Sequence, residues 1–243
     1  MIPFDRIDTV FLDVGNTLVS IDFGRVAAEL GARGVRVTTE VLQRAEAASR
    51  PEMSRRLAGQ PWREPEEPFV VYLRGIVAQL EQAHVGADGR LRELVVDLVP
   101  ALRGGRASDL WRAVMPRVPE ALARLKRLGL RLAAVSNSDG TAEQMLEETG
   151  LRSFLDAVVD SAIVGFEKPD PRIFEHTLRL VGAAAASTLH VGDLYDADVV
   201  GARRAGLHAL LLDPFDDWAG VDCARAPDLA ALAGSFEEAR GGR

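Results

Sequence analysis

Three short apolar runs in this chain each end in residues that can do chemistry. Thr9-Val-Phe-Leu runs into Asp13, Leu130-Arg-Leu-Ala-Ala-Val135 into Ser136-Asn137, and Thr188-Leu-His-Val191 into Gly192-Asp193. A fourth polar group, Glu167-Lys168-Pro169, opens a loop ahead of a helical pattern. Carboxylates offer a nucleophile or a hard metal ligand, and a lysine offers a compact positive charge. Lys168 stands out further because the only other lysine is Lys126. Any one of these residues alone is commonplace, since an aspartate after a strand is usually a turn former or a helix cap. That structural reading is taken for Asp139, Asp170 and Asp196. The ordered set is harder to dismiss, because one carboxylate, one hydroxyl, one ammonium and a second acidic pair would converge if the runs were neighbouring strands.

The elements that must position them are legible in outline. Short apolar runs bounded by turn signals are expected to be buried parallel strands, here over 9–13, 130–135, 188–191 and 209–212. Helical patterns separate them over 119–129, 141–150 and 171–182, each ending at a glycine suited to a helix C-terminus. Alternating strands and helices predict an α/β fold, a Rossmann-like parallel sheet with helices on both faces. Ligands of such sheets bind outside the carboxyl ends of the strands, where the polar residues cluster.

Residues 22–115 read differently. Helical patterns cover 24–33, 38–58, 66–83 and 91–102, with breaks at Gly34, Gly59–Pro65, His84–Gly89 and Gly104–Ser108. Thr38 reads as a helix start. Four such helices suit a bundle, and the block is too long to be an ordinary connection between two strands. It is expected to be an inserted helical-bundle domain over 21–115, with the α/β core formed by 1–20 and 116–243. The terminal Gly-Gly-Arg is expected to fray.

The net charge of −7 and the absence of a basic block argue against nucleic-acid binding. No apolar run approaches membrane-spanning length, and no signal-peptide pattern opens the chain. The single cysteine, Cys223, excludes an internal disulfide framework and lacks a nearby histidine, so it is taken as a packing residue in a reducing compartment. A cytoplasmic protein without membrane association, monomeric or homodimeric, is expected.

At this point the chain resembles a known family, the haloacid dehalogenase superfamily, in its subfamily with a C1-type helical cap. Asp13-Val-Gly-Asn-Thr-Leu18 is similar to its first motif, Asp-x-Asp-x-Thr-Leu. Val135-Ser136-Asn137 is similar to the second, Lys168-Pro169 to the third, and Gly192-Asp193-Leu-Tyr-Asp-Ala-Asp198, running into Gly201–Gly206, to the fourth. The order agrees across most of the chain, and the helical block lies where that subfamily carries its cap.

The resemblance implies a role for each residue. Asp13 would be the nucleophile that forms an aspartyl-phosphate, which splits one hard displacement into two easier ones. Ser136 would donate to a phosphoryl oxygen, and Lys168 would neutralise charge on nucleophile and phosphate. Mg2+ would be held by Asp13, Asp193 and the backbone carbonyl of Gly15, with Asp198 behind them orienting Lys168 or a metal-bound water. Thr17 would brace the loop after Asp13, and Thr17, Asn16 and Asn137 are the candidates for substrate contact. The implied substrate is a small phosphorylated metabolite.

The sequence departs from that family at Gly15. The phosphatases place there a second aspartate that protonates the leaving oxygen and then activates water, work worth roughly 10^2–10^4 in rate. Neither Gly15 nor Asn16 can do this. Three explanations stay open: a hydrolase that uses good leaving groups or takes its proton from a cap residue such as Tyr72 or His84; a non-catalytic binding or regulatory protein on the same fold; and a 2-haloacid-dehalogenase-like hydrolase. A phosphonate-cleaving branch needs a cap lysine, and residues 21–115 contain none. Retention of Asp193 and Asp198 favours metal-assisted phosphoryl chemistry over dehalogenation. In the cap, Arg44, Arg50, Arg55, Arg56, Arg63 and Arg74 are expected on a solvated face, and Trp62, Phe69 and Tyr72 in helix packing.

Overall fold

A computed structural model of the chain describes residues 1–59, 68–83, 85, 90–103 and 110–241. Within them the chain divides into two compact units, Met1–Ser20 with Ala113–Arg243, and Ile21–Arg112.

The first unit is built on a six-stranded, wholly parallel sheet. Its strands are β1 (Thr9–Leu12), β4 (Arg131–Ser136), β5 (Ala157–Asp160), β6 (Thr188–Gly192), β7 (His208–Leu212) and β8 (Ala224–Ala226), in the order β5-β4-β1-β6-β7-β8. Thr9 to Leu12 pair with Arg131 to Ala134 on one side and with Thr188 to Val191 on the other. β1 is therefore central, which explains why its run is continuously apolar rather than alternating. Phe11, Ala133, Val135, Ala157, Val159, Ala209 and Leu211 form one core cluster with Ile173 and Phe174 of α8 (Pro171–Val181). Their alternate neighbours Val10, Leu12, Leu132 and Ala134 are buried too, so both faces of the sheet are covered.

From β1 the strand order first runs outward through β4 and β5, then returns to β6 and runs the other way through β7 and β8. The reversal lies between β1 and β6. In open parallel sheets this is where a crevice forms beyond the strand ends and where ligands bind. Asp13 follows β1 and Asp193 follows β6.

Local signals set the connecting helices, which include α6 (Ala142–Glu148) and α7 (Ser161–Val164). Asp170 caps α8, its side chain accepting from the Arg172 N–H, and Pro171 occupies the first turn, where no hydrogen bond is lost. Gly182 ends that helix at φ 63°, a left-handed position that glycine fills without strain. The helices α5 (Val118–Arg127) and α10 (Leu229–Gly241) pack together and are joined by Arg124 and Glu237.

The second unit holds α1 (Phe23–Ala32), α2 (Thr39–Gly59), α3 (Pro68–Gln82) and α4 (Arg90–Arg103). Each packs against two others, in the ring α1–α2–α3–α4–α1. Val26, Leu30, Leu42, Tyr72, Leu73, Ile76, Leu80, Leu91, Val95 and Leu98 fill the centre. The Tyr72 ring lies 6.4 Å from Phe69 and 5.5 Å from Trp111, so Tyr72 belongs to this core. Arg55 and Arg56 are exposed and paired with Glu52, as a solvated face requires. Arg50 departs from that expectation: it is buried and bonded through both Nε and Nη2 to Glu46 one turn earlier. A short ribbon of β2 (Val19–Ile21) and β3 (Trp111–Val114), not foreseen from the sequence, carries the chain at the junctions between the units. Trp62, Arg63, His84 and the end of the Gly-Gly-Arg tail lie outside the described residues.

Candidate active site

The β1–β6 ladder continues one residue past β1, the Asp13 N–H donating to the Val191 carbonyl at 2.8 Å. The chain then turns sharply. The Val14 carbonyl accepts from the N–H groups of Leu18 and Val19 at 2.9 and 3.0 Å, and Gly15 bridges to Val19. Asn16 takes the left-handed backbone at φ 52°, which asparagine tolerates better than most residues. Its side-chain amide donates to Asp193 Oδ2 at 3.3 Å, tying the turn to the end of β6. Thr17 is buried in the same turn, and its hydroxyl has no hydrogen-bond partner among the described residues.

Lys168 reaches the site from the loop ahead of α8. Its ammonium donates to Asp13 Oδ1 and, at 2.8 Å, to Asp198 Oδ1. The loop is fixed from two sides. Asn137 clamps the backbone of Lys168, donating to its carbonyl at 2.9 Å and accepting from its N–H at 2.8 Å. Gly201, at the start of α9 (Gly201–Arg204), packs so closely that an added Cβ would lie 2.9 Å from Pro169 Cα. Ser136 is the last residue of β4, buried beside β1.

Asp198 sits in a π-helical turn, Tyr195–Val200, directly after β6. Such turns recur at functional sites. Besides Lys168, its Oδ1 accepts from His190 Nε2 at 2.9 Å, and its Oδ2 accepts from the Leu194 N–H at 2.9 Å. Three donors, Lys168, His190 and the Leu194 N–H, thus hold the Asp198 carboxylate in place. His190 is fully buried in β6, with the Phe174 ring edge-on at 4.9 Å.

The two carboxylates that share Lys168 are driven apart. Burial pushes Asp13 up to about 6, with the Asp198 charge adding to it and the Lys168 ammonium opposing. Burial acts on Asp198 in the same sense, but Lys168 and the His190 hydrogen bond outweigh it and hold Asp198 well below the usual carboxylate range. Burial alone would lower Lys168, yet the two carboxylates keep its ammonium above its ordinary value. Burial holds the His190 imidazole below its ordinary value. Asp198 thus favours its anionic form, and a neutral His190 that donates to it carries its proton on Nε2. Pairs of acids whose environments separate them in this way mark sites where the two have different tasks.

The carboxylates of Asp13, Asp193 and Asp198 lie with ligand atoms within 4.8 Å of one another, and all three residues are buried. With Asp198 engaged by three donors, Asp13 and Asp193 are the pair suited to a hard divalent cation such as Mg2+.

The family profile of haloacid dehalogenase-like hydrolases matches residues 7–206. The chain belongs to this family. Among curated haloacid dehalogenase-like proteins, it is similar to haloacid dehalogenase-like hydrolase domain-containing protein 3 of Bos taurus, 41% identical over 106 residues that are 42% of each chain. It is also similar to a glyceraldehyde 3-phosphate phosphatase of Methanothermobacter thermautotrophicus, 38% identical over 99 residues, 40% of this chain and 44% of that one. The matched stretches span about two fifths of these relatives. The fold is that of YfnB of Bacillus subtilis, a haloacid dehalogenase-like hydrolase crystallised with magnesium, with a TM-score of 0.63 over 95% of this chain and 99% of that one at 19% identity.

Of the residues expected at a haloacid dehalogenase-like site, the structure brings together Asp13, Asn16, Lys168, Asp193 and Asp198 by direct contact or ligand-atom proximity. Gly15 and Thr17 lie in the same turn as Asp13. Asn137 contacts Lys168, through its backbone. Asp170 serves as a helix cap, and Asp139 accepts from Thr141 Oγ1 on the surface. Cys223 is half-buried, and burial pushes its thiol up, which suits packing rather than nucleophilic attack. Two residues were missed, His190 and Asp160. Asp160 accepts from the N–H groups of Gly140 and Ala142 and so pins the loop after Ser136. The Asp-Ser pair after Ala157-Val-Val was a usable helix-start signal.

Proposed function

We propose that the protein hydrolyses a small phosphorylated metabolite by transferring the phosphoryl group to Asp13 and then to water, with Mg2+ as cofactor. The observation that carries this is the Lys168 ammonium held between Asp13 and Asp198 at the reversal of the sheet, beside Asp193. A carboxylate nucleophile approaching a phosphate dianion faces repulsion, and a fixed cation on the nucleophile offsets it where it develops. Asp198, anchored by His190 and the Leu194 N–H, keeps that cation aimed at Asp13. Ser136 donates to a phosphoryl oxygen, and Asn137 acts through Lys168, whose backbone it clamps. Thr17 and Asn16 shape the turn in which the phosphate is received.

Mg2+ would be held by Asp13, Asp193 and the Gly15 carbonyl. When bound it supplies charge neutralisation for the phosphoryl oxygens. The inserted helical unit serves in this reading as the C1-type cap. Similarity to a relative named glyceraldehyde 3-phosphate phosphatase supports a small phosphorylated substrate over a macromolecular one.

The test is the rate of p-nitrophenyl phosphate hydrolysis with and without Mg2+, with Asp13→Asn as control. Turnover that needs Mg2+ and disappears in Asp13→Asn is expected. Turnover of the wild-type chain no higher than that of Asp13→Asn would reject the proposal in favour of a binding protein on this fold.

A further inference from the structure

Both halves of the proposed reaction require a proton to move, first to the leaving oxygen and then from the attacking water. The position two residues beyond the nucleophile is Gly15, and its backbone does not demand glycine. Gly140, Gly165 and Gly182 take the left-handed conformation and Gly15 does not. Gly192 is held to glycine by contact instead, because a Cβ there would strike Asp198. Backbone conformation therefore permits a side chain at 15, and the sequence omits one.

Among the described residues, the ionisable groups bonded to Asp13, to its partner Lys168 or to the Asn16 turn are already committed. If Lys168 gave up a proton, two buried carboxylates would face each other without a counter-charge. Asp198 accepts from Lys168, His190 and the Leu194 N–H. Asp193 accepts from Asn16 and is a proposed metal ligand. His190 is fully buried, with its Nε2 on Asp198. None of these four is left to protonate a leaving oxygen or to take a proton from water.

We propose, resting on the phosphohydrolase function above, that the site accepts phosphoryl groups from acyl phosphates and holds them on Asp13 as a long-lived phosphoenzyme. In the first step an Asp13 oxygen attacks phosphorus, the bond from phosphorus to the acyl oxygen breaks, and the carboxylate departs with the electron pair. It needs no proton, since the conjugate acid of a carboxylate has a pKa of about 4. An alkyl phosphate would have to expel an alkoxide, about as basic as hydroxide, whose conjugate acid lies near 15.7, roughly that of bulk water. Donor and phosphoenzyme are both mixed anhydrides of a carboxylic and a phosphoric acid, so the transfer exchanges one such bond for another. In the second step a water oxygen attacks phosphorus, the bond to Asp13 breaks, and inorganic phosphate leaves as the water proton passes to it or to solvent. Without a side chain at 15 to take that proton, the second step is the slow one.

The experiment mixes the full chain with acetyl phosphate and Mg2+, follows acetate release and measures the intact mass. A burst of about one acetate per chain is expected, followed by slower turnover. The mass should rise by one phosphoryl group in the wild type and not in Asp13→Asn. Glycerol phosphate should turn over at least about 10^2-fold more slowly than acetyl phosphate, and Gly15→Asp should raise its rate by roughly 10^2–10^4 while shortening the life of the phosphoenzyme. Equal turnover of the two donors by the wild type, with no phosphoenzyme and with Asp13→Asn inactive, would overturn the inference and leave the phosphohydrolase function standing. Failure of both donors to turn over or to label Asp13 would remove both. The comparison of donors needs only the wild-type chain, so it decides the matter even if Gly15→Asp does not fold.

Discussion

The Asp198 carboxylate occupies the space that a side chain on Gly192 would fill: a Cβ added to Gly192 would lie 2.1 Å from Asp198 Cγ. The glycine that ends β6 is thus what allows the π-helical turn to fold Asp198 back over the strand and onto Lys168. Gly192→Ala forces the carboxylate away and leaves Lys168 with Asp13 alone. Breaking a buried ion pair costs about 3–5 kcal/mol, so a loss of at least about 3 kcal/mol in urea unfolding is expected, together with a large drop in p-nitrophenyl phosphate turnover. Asp198→Asn serves as the comparison, since it keeps the shape and removes the charge. A Gly192→Ala protein as stable and active as the wild type would mean that Asp198 has another place to go.

How much of this was readable beforehand varies with the distance over which each feature is set. Asp13, Lys168 and Gly192-Asp193 announce themselves because each follows its own strand or opens its own loop, and the strand ends are local signals. β5 was missed because Ala157-Val-Val-Asp160 is only four residues long and no glycine or proline brackets it. β8, with Ala224 and Arg225 exposed at the sheet edge, is three residues of Ala-Arg-Ala, too short for its alternation to register. His190 looks like one more residue of a buried strand, and only the turn that returns Asp198 to it makes it part of the site. Arg50 with Glu46 has the spacing of an exposed helix pair. That the pair is buried depends on how α2 packs against its neighbours, which the spacing does not encode.

Asp156 makes the stability of the sheet sensitive to acid. It sits just before β5, its carboxylate accepting from Lys126 Nζ at 2.9 and 3.0 Å and from the Leu132 N–H at 2.7 Å. Burial works to raise its pKa, but the Lys126 hydrogen bond and the Leu132 N–H outweigh this and hold it below the ordinary 3.8. A depressed carboxylate contributes stability that is present above its unfolded value and is lost as the pH falls through its folded value. Asp156→Asn should therefore be less stable than the wild type at neutral pH, by about 1 kcal/mol or less because the side chain is partly exposed and screened. The gap should close below about pH 3 and narrow in high salt. Urea unfolding of both proteins across that range checks it, and a gap independent of pH would assign the effect to shape alone.

Asp160 holds the loop that follows Ser136 by accepting backbone hydrogen bonds from across it. Its two oxygens take the N–H groups of Gly140 at 3.0 and 3.1 Å, Ala142 at 3.1 Å and Ala162 at 3.0 Å, and the residue is buried. Beside it, Ser161 Oγ donates to the Ser138 carbonyl at 3.2 Å and accepts from its N–H at 3.1 Å. The same loop begins with Asn137, which clamps the backbone of Lys168. A single carboxylate on β5 thus reaches the Lys168 ammonium through one loop. Removing it orphans several N–H groups at once, each costing about 1–3 kcal/mol when buried. Asp160→Ala is expected to lose about 2–4 kcal/mol of stability, since the Ala142 bond is buried and those of Gly140 and Ala162 are partly so. Asp160→Asn keeps one acceptor oxygen and should fall between that variant and the wild type. In folded Asp160→Asn, kcat for p-nitrophenyl phosphate should drop by about tenfold or more, since small misplacements of a charge at the reacting centre are costly. An Asp160→Asn enzyme with reduced stability but full kcat would show that Asn137 keeps Lys168 aimed without help from β5.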